Sequence, residues 1–332
     1  MAKKLLIVSD NLPSQINGVV TTFSNIKKYA EKNGYVVYFI DPQCFRHFNM
    51  PKYPEVKISI PFGIGKMIEN INPDYIHIAT EGPIGLAARI FCDNKKYKYN
   101  TSYHTKFPEY IKKMYGIPES ITYKYVRWFH KHSGKVLATT KSIVDELKKN
   151  NFSSDTVVWT RGVDRDLLKP SISRPKNKNT VVLYVGRVSK EKGLDDLCIL
   201  ENIYDVIIVG DGPYRKYLEK KYKNVKFLGY KSGTELADAY VSADVFCFPS
   251  KTDTFGIVLI EAMSLGTPVA AYPVSGPVDI VEQGVTGYLG YNIVECIQRC
   301  LTINNQTVIK NSEIWTWENC WNIFENNLVK KY

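Results

Sequence analysis

The chain predicts an α/β protein built from two doubly wound parallel-sheet domains, and three observations carry that prediction. Its 332 residues exceed the usual size of a single core. Short apolar, β-rich runs alternate with helical stretches along nearly the whole length. That alternation stops once, at the polar, proline-containing "KPSISRPKNKN" (Lys169 to Asn179), and then restarts.

The elements follow in order. "KLLIVS" reads as a strand, "DNLPSQING" as a loop, Val19 to Lys32 as a helix stopped by Gly34, and "YVVYFID" as the next strand. This is a βαβ unit. "DYIHIA", "TSYH" and "KVLATT" supply further strands, and after the break "TVVLYVG", "YDVIIVG", "NVKFLG", "ADVFCFPS" and "TPVAAYP" do the same. The expected domains are 1–170 and 171–311, joined near residue 175. The aromatic stripe Trp315, Trp317, Trp321 and Phe324 makes 312–332 a closing helix that packs on the body of the protein. In such sheets ligands bind beyond the carboxyl ends of the strands, which places the site in a cleft between the two domains.

Composition narrows the function classes. Hydrophobic residues make up 44% and charged residues 23%, which is the balance of a globular protein and not of a disordered one. No apolar run reaches the ~20 residues of a spanning helix, and the N-terminal run Leu5 to Val8 is too short for a secretory signal. The expected place is the cytoplasm, or the cytosolic face of a membrane. Seven scattered cysteines without a C-x-x-C pair read as reduced, buried thiols. The net charge of +11 lies wholly within residues 1–165, and residues 95–149 are its richest part. Such a face attracts anionic lipid, phosphorylated substrates or nucleic acid, or is simply a solvated lysine surface. "EYIKKMYGIPESITYKYVRWFHKH" mixes bases with large apolar residues, as an interfacial helix or an ordinary half-buried helix pair would.

The chemistry-bearing residues sit at predicted strand ends. Arg187 and Lys192, in "GRVSKEKG", suit the two charges of a diphosphate. "GDGP" (Gly210 to Pro213) is a tight turn that allows close backbone approach, and it is neither a dinucleotide fingerprint nor a phosphate loop. In "SKTDTFGIVLIEAMSLG", Asp253 lies in a loop and Glu261 inside the helix that follows. The amides of Thr254, Phe255 and Gly256 are expected at that helix start, a ready anion site. Two carboxylates can run acid/base chemistry on a glycoside. An anion site between them argues instead for one phosphate-bearing ligand held at both ends. Gly18, in "NGVV", opens a helix in the first half. His104 ends a strand, and His130 and His132 are expected on the surface. No metal-ligand signature is present, and two cations and a helix dipole make a metal unnecessary.

Together "NGVV", "SYHT", "RGVD", "GRVSKEKG", "GDGP", "FLG" and the acid-x7-Glu segment resemble the retaining GT-B glycosyltransferases of family 4, over nearly the whole chain. "TSYHTKFPEY", "RWFHKH" and "WTRGVD" are similar to a branch with bacterial α-mannosyltransferases and sulfoquinovosyl- or glucuronosyl-diacylglycerol synthases. The resemblance implies two Rossmann-like domains facing a cleft, with the C-terminal helix crossing back to the first. It implies a hexose moved from a UDP- or GDP-sugar, such as GDP-mannose, to a lipid or glycan acceptor. Transfer is on the front face with retained configuration, and a donor phosphate oxygen takes the acceptor's proton, with no cofactor and no essential metal. By position, Arg187 and Lys192 would bind the diphosphate and Glu261 the ribose. Asp253 and His104 would act on the transferred sugar. Phe255, Gly256 and Ile257 would lie nearby, Gly18 would border the diphosphate, and Phe227, Leu228 and Gly229 would meet the base. The first acid of the family's pair is usually Glu, so Asp253 leaves the sugar open. The segment after "GVTGYLGYN" is short. The competing readings are a GT-B epimerase, a basic nucleic-acid-binding protein, and a non-catalytic nucleotide-sugar binder. No nucleic-acid motif supports the second, so no nucleic acid is expected as partner.

Overall fold

The computed structural model describes residues 2–15, 17–50 and 53–332. In these the alternation becomes two separate parallel sheets of six strands each and one small hairpin. The chain forms two compact units, one running through Arg161 and including Trp317–Tyr332, the other Gly162–Thr316.

The first unit holds β1 (Lys3–Val8), β2 (Tyr35–Ile40), the antiparallel pair β3 (His47–Met50) and β4 (Tyr53–Ser59), then β5 (Tyr75–Ile78), β6 (Asn100–Tyr103), β7 (Val136–Ala138) and β8 (Thr156–Val158). Its sheet runs in the order β2-β1-β5-β6-β7-β8. The second unit holds β9 (Val181–Val185), β10 (Asp205–Val209), β11 (Lys226–Gly229), β12 (Val245–Phe248), β13 (Val269–Ala271) and β14 (Gly287–Leu289). Its order is β11-β10-β9-β12-β13-β14. Central strands of a parallel sheet are covered on both faces, so they read as continuous apolar runs. Leu5 to Val8 and Val245 to Cys247 are fully buried accordingly.

Because every pairing in the six-stranded sheets is parallel, all strand carboxyl ends of one unit lie along one edge. The order reverses between β1 and β5 in the first unit and between β9 and β12 in the second. These are the switch points where loops diverge and leave a crevice.

The units change over earlier than the expected 170/171. Residues read as a linker are fastened to the second unit instead. Ser171 donates to Asp238, Arg174 to the Leu265 carbonyl and Thr267, and Asn177 to Asp244. Polar, proline-bearing sequence marks exposure, and here that exposed chain is tied down by its own side chains. The closing helix also starts later, at Trp317. Trp315 stays with the second unit, edge-on to Phe255 at 5.7 Å. Trp317, Cys320, Trp321 and Phe324 are buried in the first unit, where Trp159 donates its indole N–H to the Cys320 carbonyl at 3.0 Å. Six cysteines are buried, and Cys44 is exposed.

Candidate active site

At the switch point of the second unit, β9 leads through Gly186 and the exposed Arg187 into the short helical turn Lys190–Lys192. Gly193 closes that turn in the left-handed region at φ +66°, and a Cβ there would lie 2.8 Å from the Pro249 carbonyl oxygen. Only glycine lets the turn rest on the end of β12 this closely. The consequence is an ion pair across the switch point, Lys192 Nζ to Asp253 Oδ1 at 2.7 Å. Asp253 Oδ2 is buried without a hydrogen-bond partner, and so is Ser250 Oγ. Uncompensated buried polar atoms are costly and uncommon, and one reason to keep them is to bind a polar ligand.

The helix after this loop begins at Ile257, later than its sequence suggests. Gly256 precedes it at φ +89°, and Phe255 is buried against Trp315. The first-turn amides are therefore those of Ile257 and its successors, not of Thr254 and Phe255. Glu261 lies in this helix, half-buried, and its Oε2 accepts the Tyr240 hydroxyl at 2.8 Å. Burial pushes the Glu261 carboxyl above its ordinary value, and the Tyr240 bond works against that.

"GDGP" packs tightly against the loop that follows β9. A Cβ on Gly210 would sit 1.9 Å from the Gly186 carbonyl oxygen, so this turn packs on the β9 loop. Val188 N–H donates to the Asp211 carbonyl and Tyr214 N–H to the Val188 carbonyl, fixing the Arg187 loop from behind. Along edge strand β11, Phe227 is half-buried and Leu228 is 45% exposed. The Gly229 carbonyl accepts from Gly210 N–H at 2.8 Å.

In the first unit, Gly18 is the first helical residue after Asn17. The Asn17 side chain accepts from Val19 and Val20 N–H at 3.0 Å, occupying amides an anion would use. Asp10, which the sequence did not single out, sits at the β1/β5 switch point and accepts from Thr80 and from Ile84 N–H. Desolvation outweighs these donors and pushes its carboxyl up. His104 is 8% exposed, with Nδ1 2.8 Å from Arg161 Nη2 and Nε2 2.8 Å from Ser102 Oγ. A direct contact with substrate through this ring must replace one of these bonds. His130 is not on the surface. It is fully buried, between Thr101 at 2.7 Å and Glu81 at 3.3 Å, because the helix carrying it turns that face inward, while His132 is exposed. Among the described residues no three His, Cys, Asp or Glu side chains gather as a metal site would need.

Arg161, Ser102 and Tyr240 escaped sequence reading as site residues. Arg161 does stand in the quoted "RGVD", but nothing in its spacing points to His104, 57 residues away.

Residues 16–167 match the profile of Glycosyltransferase Family 4 and residues 165–293 that of Glycosyl transferases group 1. A GDP-mannose-dependent alpha-mannosyltransferase of Corynebacterium glutamicum is 27% identical, over 86% of this chain and 76% of its own. The sulfoquinovosyl transferase SQD2 of Arabidopsis thaliana is also 27% identical, over 90% of this chain and 66% of its own. The solved sucrose-phosphate synthase of Thermosynechococcus elongatus aligns over 98% of both chains with a TM-score of 0.79 at 17% identity, a likeness of fold. Two parallel-sheet units with charged loops gathered past their strand ends, matched in this way, define a GT-B glycosyltransferase that uses a nucleotide-sugar donor. The two profiles together span residues 16–293, and the chain is a glycosyltransferase of the family 4 type.

Proposed function

We propose that the chain transfers a hexose from a UDP- or GDP-sugar to a lipid or glycan acceptor, with retained configuration and without an essential metal. The observation that carries the reading is the Lys192–Asp253 pair across the β9/β12 switch point, with one Asp253 oxygen buried and unpartnered. Arg187 and Lys192 bring two positive charges to the diphosphate, and the start of the helix at Ile257 adds its dipole. When the diphosphate draws Lys192 away, Asp253 is left to accept from hydroxyls of the sugar. Glu261, one oxygen on Tyr240, offers the other to the ribose. Phe255, Gly256 and Ile257 shape the loop between these acids, and Phe227 to Gly229 border the base. In the first unit Gly18 opens the helix that follows β1 and His104 comes directly after β6, and the family resemblance is what assigns them to the diphosphate and the transferred sugar. The acceptor hydroxyl attacks the anomeric carbon on the face the phosphate leaves, and a phosphate oxygen takes its proton. The names of the two relatives, one using GDP-mannose and one transferring sulfoquinovose, support a sugar donor without choosing its base.

The acceptor is reached at the cytosolic face of an anionic membrane, as a peripheral contact. Tyr115, Ile117, Ile121 and Trp128 are exposed beside exposed Lys112, Lys124 and Lys131. No side chain of Tyr110, Lys113 or Met114 is among those described. Among the described residues no helix is long and apolar enough to cross a membrane.

The test is a panel of UDP- and GDP-sugars in excess EDTA, read by thermal shift, donor hydrolysis and the anomeric configuration of the product. Stabilisation by one donor, turnover in EDTA and a retained anomer are expected. Strict metal dependence or an inverted product would overturn the corresponding part.

A further inference from the structure

His104 ends β6 with both ring nitrogens engaged, and the chemistry of its partners settles where its proton is. A guanidinium has N–H donors and no acceptor. Burial lowers Arg161 to about 10, which still leaves it a cation at neutral pH. The nitrogen facing it at 2.8 Å, Nδ1, must therefore present a lone pair. The ring proton then sits on Nε2 and is donated to Ser102 Oγ at 2.8 Å. Ser102 in turn has the Ala79 carbonyl at 3.2 Å and His77 Nε2 at 3.0 Å within reach of its own hydrogen. A second proton on His104 would set an N–H and a positive charge against the guanidinium.

Arg161 is itself held in place. Nη1 donates to the carbonyls of Trp159 at 2.7 Å and Thr160 at 2.9 Å, and the guanidinium lies 4.5 Å from the Trp159 ring centre. Trp159 is fixed by its bond to the Cys320 carbonyl and by Phe324 at 5.1 Å. A rigid path thus runs from the C-terminal helix to the histidine. Two titratable groups that act on this assembly are His77, brought to about 3 by burial, and Cys320, raised to about 12. Both are neutral near pH 7. Phe23 packs edge-on against the ring at 5.6 Å.

We propose that Arg161 is a positioning residue that keeps His104 a neutral imidazole with its proton on Nε2, so that His104 serves the transfer as a hydrogen-bond donor and never as an acid or base. The role in transfer rests on the reading that His104 meets the transferred sugar. A substrate hydroxyl would take the Nε2 proton from Ser102 while Arg161 keeps Nδ1. A neutral ring also suits a reacting carbon that gathers positive charge, as in other glycosyl substitutions.

The experiment uses the full chain with 15N-labelled histidine, whose nitrogen shifts report tautomer and charge, with His104→Ala for assignment. Between pH 4 and 8 the wild-type His104 is expected to stay in the Nε2–H form. In Arg161→Met it should take up a proton at higher pH than in wild type, and kcat/KM should gain an acid limb there. Arg161→Lys, which still presents a cation, should restore the wild-type profile. A wild-type Nδ1–H tautomer, titration of wild-type His104 between pH 4 and 8, or identical titration in Arg161→Met overturns the proposal. If Arg161→Met does not fold, the wild-type spectrum alone decides. Unchanged kinetics of His104→Ala would instead remove the sugar contact and leave the tautomer standing.

Discussion

Replacing Lys192 with Ala tests the centre of the site even before a substrate is added. The pair to Asp253 spans 2.7 Å, and its side chains are 20% and 23% exposed. Exposed pairs couple by about 0.2–1 kcal/mol, whereas breaking a buried one costs about 3–5 kcal/mol. A pair shielded to this degree belongs between them, at about 1.5–3 kcal/mol, the range of hydrogen bonds to charged groups. The two single substitutions should differ. Lys192→Ala strands a carboxylate whose Oδ2 already has no partner, while after Asp253→Ala the flexible lysine can swing its ammonium to water. The double variant should then be about as stable as Asp253→Ala. A double-mutant cycle on urea unfolding measures the coupling, first without nucleotide and then with saturating UDP or GDP, which should shrink it by recruiting Lys192. Donor KM of Lys192→Ala should rise by roughly tenfold to a hundredfold, since 1.4 kcal/mol is a factor of ten. A coupling below about 0.5 kcal/mol, or an unchanged donor KM, would refute the reasoning.

Further outcomes can be checked alongside. Glu261→Ala should weaken nucleotide binding even without the sugar, and unchanged UDP and GDP affinities would remove the ribose assignment. Tyr240→Phe takes away the one bond that lowers the Glu261 pKa, so donor KM should rise about tenfold and the loss of nucleotide affinity on acidification should begin at higher pH. The sign for stability is opposite. A carboxyl raised by folding binds its proton more tightly in the native state, so its contribution is full below the unfolded pKa and lost as pH rises through the folded one. Glu261→Gln should flatten that dependence in pH-resolved unfolding. Gly210→Ala should cost more than about 3 kcal/mol, because the obstacle is the Gly186 carbonyl; Gly34→Ala, with nothing within 4 Å of its Cβ, should cost only about 1 kcal/mol for its positive φ. Binding to vesicles should rise with anionic lipid and fall with salt, and equal binding to neutral vesicles would discard the basic face.

What the sequence determined by itself is what local pattern encodes. Buried parallel strands need unbroken apolar runs, so "LLIV", "VVLYV" and "VFCF" announced themselves, and the loops after them were marked as sites by position in the sheet. Short or edge elements were missed: β3 and β4, and the three-residue edge strands β8 and β14, which are too short to leave a periodic signature. The unit boundary at Arg161 was displaced because polarity reports exposure and not what exposed chain is bonded to, and the helix start at Ile257 because the left-handed turn at Gly256 interrupts a run that reads as continuously apolar.

The tertiary structure alone decided which side chains meet. Lys192 reaches Asp253 across 61 residues and Tyr240 reaches Glu261 across 21. Arg161 ends on His104 because the strand order β6-β7-β8 carries it there. Hydrophobic period is a property of a few neighbouring residues and survives in the sequence. The pairing of charged and polar groups depends on sheet order and on single close approaches such as Gly193 on Pro249, and these exist only once the chain is folded.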